Sequence, residues 1–169
     1  MAASLFVNTQ EAATMRVCRD LVHIRTQEPL QFVDLTALVA ERVRRSGVGE
    51  GMVTVQSRHT TAAIVVNENE PLLLQDLEGL LEGWAPAGRL YRHNDLAARD
   101  APVDEKPNGH SHARTLLLGV SVCLNIAEGH VDLGPWQSIF LVELDGPRQR
   151  SVSVQVLGAP AGDGGHRSV

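Results

Sequence analysis

The chain has 169 residues, a formal net charge of −5, 43% apolar and 21% charged residues, and aromatics at only 4%. That length and balance describe one globular domain with an aliphatic core. They argue against a nucleic-acid surface, since Arg42, Arg44 and Arg45 form the one dense basic cluster, and no apolar run reaches the ~20 residues of a membrane helix.

Residues 1–12 are expected to be a flexible terminus, and Met1 to Asn8 lack the basic and apolar stretches of a secretory leader. A cytoplasmic protein with no membrane partner is the expectation. Met15 to Ile24 alternates as a strand with His23 on its polar face, and a turn follows near Thr26 to Pro29. Phe32 to Gly47 reads as a helix capped by Asp34 or Thr36, with Leu35, Leu38, Val39 and Val43 on one face and Gly47 at its end. Met52 to Val55 and Ile64 to Val66 read as strands, and His59, Thr60 and Thr61 stand between them. The acid-amide run Asn67-Glu68-Asn69 comes next.

Pro71 opens a second helix with Asn69 as an available cap, burying Leu73, Leu77, Leu80, Leu81 and Trp84. From Arg92 to Gly109 no periodicity is visible, and a connection of that length in a compact domain is usually functional or disordered. A short helix from His110 to Gly119 follows. Three strands then run over Val120–Ile126, Ser138–Leu144 and Arg150–Leu157 without helical crossovers. Cys18 and Cys123 form no CxxC unit and are expected as buried free thiols in strand-like runs. Residues 159–169 are expected to be a disordered tail. The fold class is therefore α+β: a single domain over 13–158 with a mixed, largely antiparallel sheet and two main helices.

His59 at a strand end, His93 at the start of the long loop and His112 at the start of the short helix are unusual placements. Neutral imidazoles ligate zinc, and three protein ligands leave a coordination position open for water or substrate. The spacing matches no compact metal motif, so unrelated polar histidines stay open, as does His110 in place of His112. Glu68, Asp76, Asp95 and Asp100 are carboxylates suited to support ligating histidines, and Glu68, Asp76 or Asp100 to act as a base. There is no phosphate-cradling glycine loop and no nucleophile elbow.

The chain resembles the YjbQ family in His59-Thr-Thr-Ala-Ala-Ile, Asn67-Glu-Asn, Tyr91-Arg-His-Asn94, Asn108-Gly-His-Ser-His112, Leu133-Gly-Pro-Trp-Gln137 and Phe140 through Arg148. Members are also called secondary thiamine-phosphate synthases. The resemblance implies a single α+β domain assembling as a homotrimer, with a divalent metal, zinc first, held by His59, His93 and His112. Asn67, Glu68, Asp76, Asp100, Asn108 and Gln137 would surround it, with Asn69 beside Glu68. It further implies a phosphorylated small-molecule substrate whose oxygens Arg92, Arg99 or Arg114 would hold. This chain departs from the usual pattern at Pro135 and in a longer loop between His93 and Asn108. Thiamine-phosphate synthesis, metal-assisted hydrolysis and non-catalytic binding by a trimer all stay open at this stage.

Overall fold

The computed structural model describes residues 14–102 and 105–162. The expected flexible start and most of the tail lie outside the described residues. Two antiparallel sheets form the frame. The larger has the order β1 (Arg16–Arg25), β8 (Gln149–Pro160), β3 (Val48–Ser57), β5 (Ser121–Ala127), β6 (His130–Val131). The smaller has the order β2 (Gln31–Asp34), β7 (Ser138–Glu143), β4 (Ala62–Asn67).

The first core lies between the sheets. Val53, Val55, Val152, Val154 and Val156 of the large sheet meet Ala62, Ile64, Ile139 and Leu141 of the small one, and Leu35, just before α1 (Thr36–Ser46), closes the side with Val39 and Val43 of that helix. On the far face of the small sheet a second core joins Ala63, Phe140, Val142 and Leu144 to Leu81 of α2 (Pro71–Trp84) and Leu118 of α3 (Gly109–Leu118). β7 is thus apolar on both faces because both are covered, which is why Ile139 to Val142 form an unbroken apolar run.

Several expectations need correction. The first helix begins at Thr36, because Phe32 and Val33 lie in β2, paired with Val142 and Leu141 of β7. Their side chains belong to opposite cores, so burial on both faces overrides the helical reading of the segment. Asn69 does not cap α2. Glu70 does, accepting from Leu72 N–H at 3.0 Å and Leu73 N–H at 2.7 Å. The short helix is a full third one of 10 residues. Both cysteines are exposed. Cys18 is on an edge strand, and Cys123 is opposite Thr54 on the outer face of the large sheet. The last strand continues beyond Leu157 to Pro160.

Candidate active site

β3 ends at Ser57 and the chain turns through Arg58–Thr61 before β4 starts. The Ser57 hydroxyl accepts the His59 N–H at 3.3 Å and so shapes the turn that presents the imidazole. Opposite it, the 3-10 turn Arg92–Asn94 carries His93, and α3 carries His112 in its first turn.

What brings these last two together is a close backbone approach. Asn94 Oδ1 accepts the Gly109 N–H at 2.8 Å, and a Cβ on Gly109 would stand 2.6 Å from Tyr91 Cβ and 2.8 Å from its Cγ. Only glycine admits that contact. In consequence the His93 and His112 rings pack edge-to-face with centroids 4.6 Å apart.

All three histidines line one open cleft of about 580 Å³, together with Thr60, Thr61, Glu105, Asn108, Asp145, Arg148 and Arg150. Its floor is a buried ion pair. Glu143 is 0% and Arg150 2% exposed, and Arg150 grips the carboxylate at both oxygens, with Nε to Oε2 at 2.6 Å. The Thr26 hydroxyl adds a bond at 2.8 Å, the N–H groups of Leu144 and Asp145 add two at 2.9 and 2.8 Å, and Arg150 also reaches the carbonyl and hydroxyl of Thr61 at 3.2 Å. Burial alone would raise the Glu143 pKa, but Arg150, the Asp145 N–H and Thr26 together hold it below the usual carboxylate range.

Along the wall, Arg99 bonds Glu105 at 2.5 Å and the His93 carbonyl at 2.9 Å. Glu105 Oε1 lies 3.7 Å from His93 Nε2. Asn108, 6% exposed, donates to Asp145 Oδ2 at 3.0 Å while its Oδ1 is buried without a partner among the described residues. Burial lowers the pKa of His59, with Arg150 adding to it, and of His112, with His93 adding to it, so the site favours the neutral form of both imidazoles.

Of the expected site residues, His59, His93, Asn108 and His112 line the cleft. Asn67, Glu68, Asn69 and Gln137 stand elsewhere. The chain leaves the cleft at Thr61 and β4 reaches Asn67, paired with Ser138, six residues later, about 20 Å at ~3.3 Å per residue. There Asn69 bonds Asp34 at 2.9 Å, and the Gln137 side chain closes its own turn on the Gly134 N–H at 2.8 Å. Asp76 is exposed on α2 and Asp100 exposed in the long loop, where Glu105 takes the position at the cleft. Arg114 is buried and holds the Ala85 carbonyl at the end of α2, at 3.0 and 2.8 Å, and Glu82.

Glu105, Asp145, Arg148 and the Glu143–Arg150 pair went unassigned in the sequence. One signal was available, a carboxylate inside the apolar run Ile139 to Leu144, where only a buried partner makes it tolerable.

The three-histidine zinc site does not fit these donors as they stand. Among the described residues no group of three or more His, Cys, Asp or Glu side chains is arranged to hold a metal ion. His59 Nε2 is already the acceptor for the Ser151 N–H at 2.7 Å.

The sequence matches the family described as UPF0047 protein YjbQ-like over residues 3–159. The chain belongs to the YjbQ (UPF0047) family. A UPF0047 protein of Methanothermobacter thermautotrophicus is 42% identical over 146 residues, 86% of this chain and 96% of that one. A Synechocystis UPF0047 protein is 35% identical, covering 87% and 96%. Among solved structures, a YbjQ-like protein of unknown function from Sulfolobus solfataricus superposes with a TM-score of 0.79 at 35% identity, over 86% of this chain and 99% of that chain. An uncharacterised YjbQ/UPF0047 protein from Clostridium acetobutylicum gives 0.73 at 35% identity, over 81% and 98%. The two-sheet arrangement with three helices is thus that of a YjbQ-family domain. Among the described residues no helix is long and apolar enough to cross a membrane.

Proposed function

We propose that the cleft is the active site of an enzyme acting on a small phosphorylated molecule, with displacement of a diphosphate as in thiamine-phosphate synthesis. The carrying observation is that three histidines from separate segments line one cavity beside Arg148 and Thr60. The Arg148 guanidinium is 44% exposed and meets Asp145 at 3.0 Å, which leaves it able to turn a face to phosphate oxygens. A departing diphosphate gains negative charge, and fixed donors around it stabilise that charge. Loss of one such donor costs about 10²–10³ in kcat.

Incubation of a pyrimidine diphosphate with a thiazole phosphate, followed by pyrophosphate release, tests the reading. Wild-type release that falls at least about tenfold in Arg148→Ala and His93→Ala is expected. Absence of release, or release unchanged by both substitutions, ends it. Zinc on the three histidines is the competing reading. It requires His59 to abandon its bond to Ser151, and metal analysis of the purified protein with and without chelator separates the two.

Self-association as a homotrimer belongs to the same proposal. Cross-strand partners share a face of a sheet. The outer face of the large sheet therefore carries the rows Val17, Leu157, Met52, Asn125, then Arg19, Gln155, Thr54, Cys123, then Leu21, Ser153, Gln56, Ser121. Arg19 is the single charge among these positions. No described helix packs there, and Val17, Leu21 and Met52 are exposed. A sheet face this poor in charge suits contact with copies of the same chain.

A further inference from the structure

The imidazole of His59 ends the ladder between β3 and β8. The Ser151 carbonyl accepts the Arg58 N–H at 3.0 Å, and the Ser151 N–H, pointing to the same edge of its strand, donates to His59 Nε2 at 2.7 Å. The ring thus stands where a further β3 carbonyl would be had the strand continued. A backbone N–H can only donate, so Nε2 is the nitrogen without a proton. The one proton of the neutral ring is on Nδ1. That atom has no hydrogen-bond partner among the described residues and is not buried, and the residue lines the cleft.

We infer that His59 is a fixed neutral donor whose Nδ1–H bonds an anionic oxygen of the ligand, and that it is neither a metal ligand nor a general base. An imidazole that ligates a metal through one nitrogen keeps its proton on the other. At His59 the first choice, Nε2, is taken by Ser151. Metal at Nδ1 would force the proton onto Nε2, directly against the Ser151 N–H. A base would have to accept its proton at that same blocked nitrogen. The donor role rests on the proposed phosphorylated ligand, whereas the position of the proton does not.

Two measurements separate these. Long-range proton–nitrogen spectra of the ¹⁵N-labelled full chain, with His59 assigned through His59→Asn, are expected to show the Nδ1–H tautomer, unchanged by equimolar zinc. An Nε2–H tautomer, or a zinc-bound resonance at His59, overturns the inference. Calorimetry with inorganic pyrophosphate tests the donor. His59→Asn places an amide donor near the Nδ1 position, and His59→Gln places it near Nε2. The expected result is affinity within about threefold of wild type for the first and a loss of about tenfold or more for the second, the scale of one hydrogen bond to a charged group. Equal losses overturn the donor role. A wild-type protein that binds no pyrophosphate overturns the phosphorylated-ligand reading, with the tautomer spectra still deciding where the proton lies.

Discussion

Glu143 is the residue through which the cleft and the core are joined. It stands fully buried at the end of β7, and every acceptor direction of its carboxylate is met by Arg150, Thr26 or a backbone N–H. Removing one partner of such a pair strands the other charge, at a cost of about 3–5 kcal/mol. Glu143→Ala is expected to lose stability on that scale in urea denaturation, and the double variant with Arg150→Met to recover a large part. Losses that simply add would deny the coupling. The acid response follows from the same carboxylate. With a folded pKa below its unfolded value, the unfolded chain binds the proton first as pH falls. Its contribution is present above the ordinary carboxylate range and is lost progressively beneath about pH 4.3.

Three partly buried histidines act at higher pH. Burial lowers His59, His110 and His112 alike. The unfolded chain therefore protonates at these positions before the folded one, and stability declines as pH falls through about 6.5. Unfolding midpoints in urea between pH 8 and pH 3.5 are expected to fall, with a first decline below about pH 6.5 and a second below about pH 4.3. A flat profile between 8 and 5.5 would contradict these burial effects. Glu68 makes a separate residue-scale test. It is one of the candidate bases by sequence, but β4 carries it away from the cleft, so Glu68→Gln is expected to leave pyrophosphate release within about twofold of wild type, a change below 0.5 kcal/mol.

At the scale of elements, the helices and most strands were legible because their periodicity is local. The apolar positions of α1, the proline opening α2 and the alternation of β1 are each written within a dozen residues. β2 was not legible, since nothing in Gln31–Asp34 records that Phe32 and Val33 face two different cores. The candidate site divided in the same way. His59, His93, Asn108 and His112 sit at element ends that the sequence marks. Glu105 and Arg148 owe their place to how the long loop and the β7–β8 connection return to the cleft, a tertiary fact with no local signature. Asn67 to Asn69 misled because closeness in sequence across an extended strand is distance in space. The cap of α2 offers a direct check. Glu70→Ala removes acceptors from two N–H groups and is expected to cost about 1 kcal/mol in thermal unfolding, with Asn69→Ala much less. The reverse order would return the cap to Asn69.

For the whole molecule, the outer face of the large sheet is where the proposed trimer is tested. Met52 lies centrally on it, opposite both Leu157 and Asn125. Met52→Glu places a charge there that solvent accepts and an interface does not. In light scattering the wild type is expected at three times the chain mass, and Met52→Glu at one, with its circular dichroism preserved. A wild type that is monomeric at micromolar concentration would exclude the trimer.

The contact between Asn94 and Gly109 has a consequence for how this protein can vary between lineages. It fastens the two ends of a segment 15 positions apart, with His93 just before one end and His112 just after the other. Once the ends are fastened, the entropy of what lies between depends only weakly on its length, and doubling it costs about 0.6 kcal/mol. Insertions there are expected to be nearly neutral for stability and to leave both imidazoles in register, while Arg99 and Glu105 sit within that segment and can bring different chemistry to the rim. The segment is where an inherited cleft can change what it accepts without rebuilding what holds it.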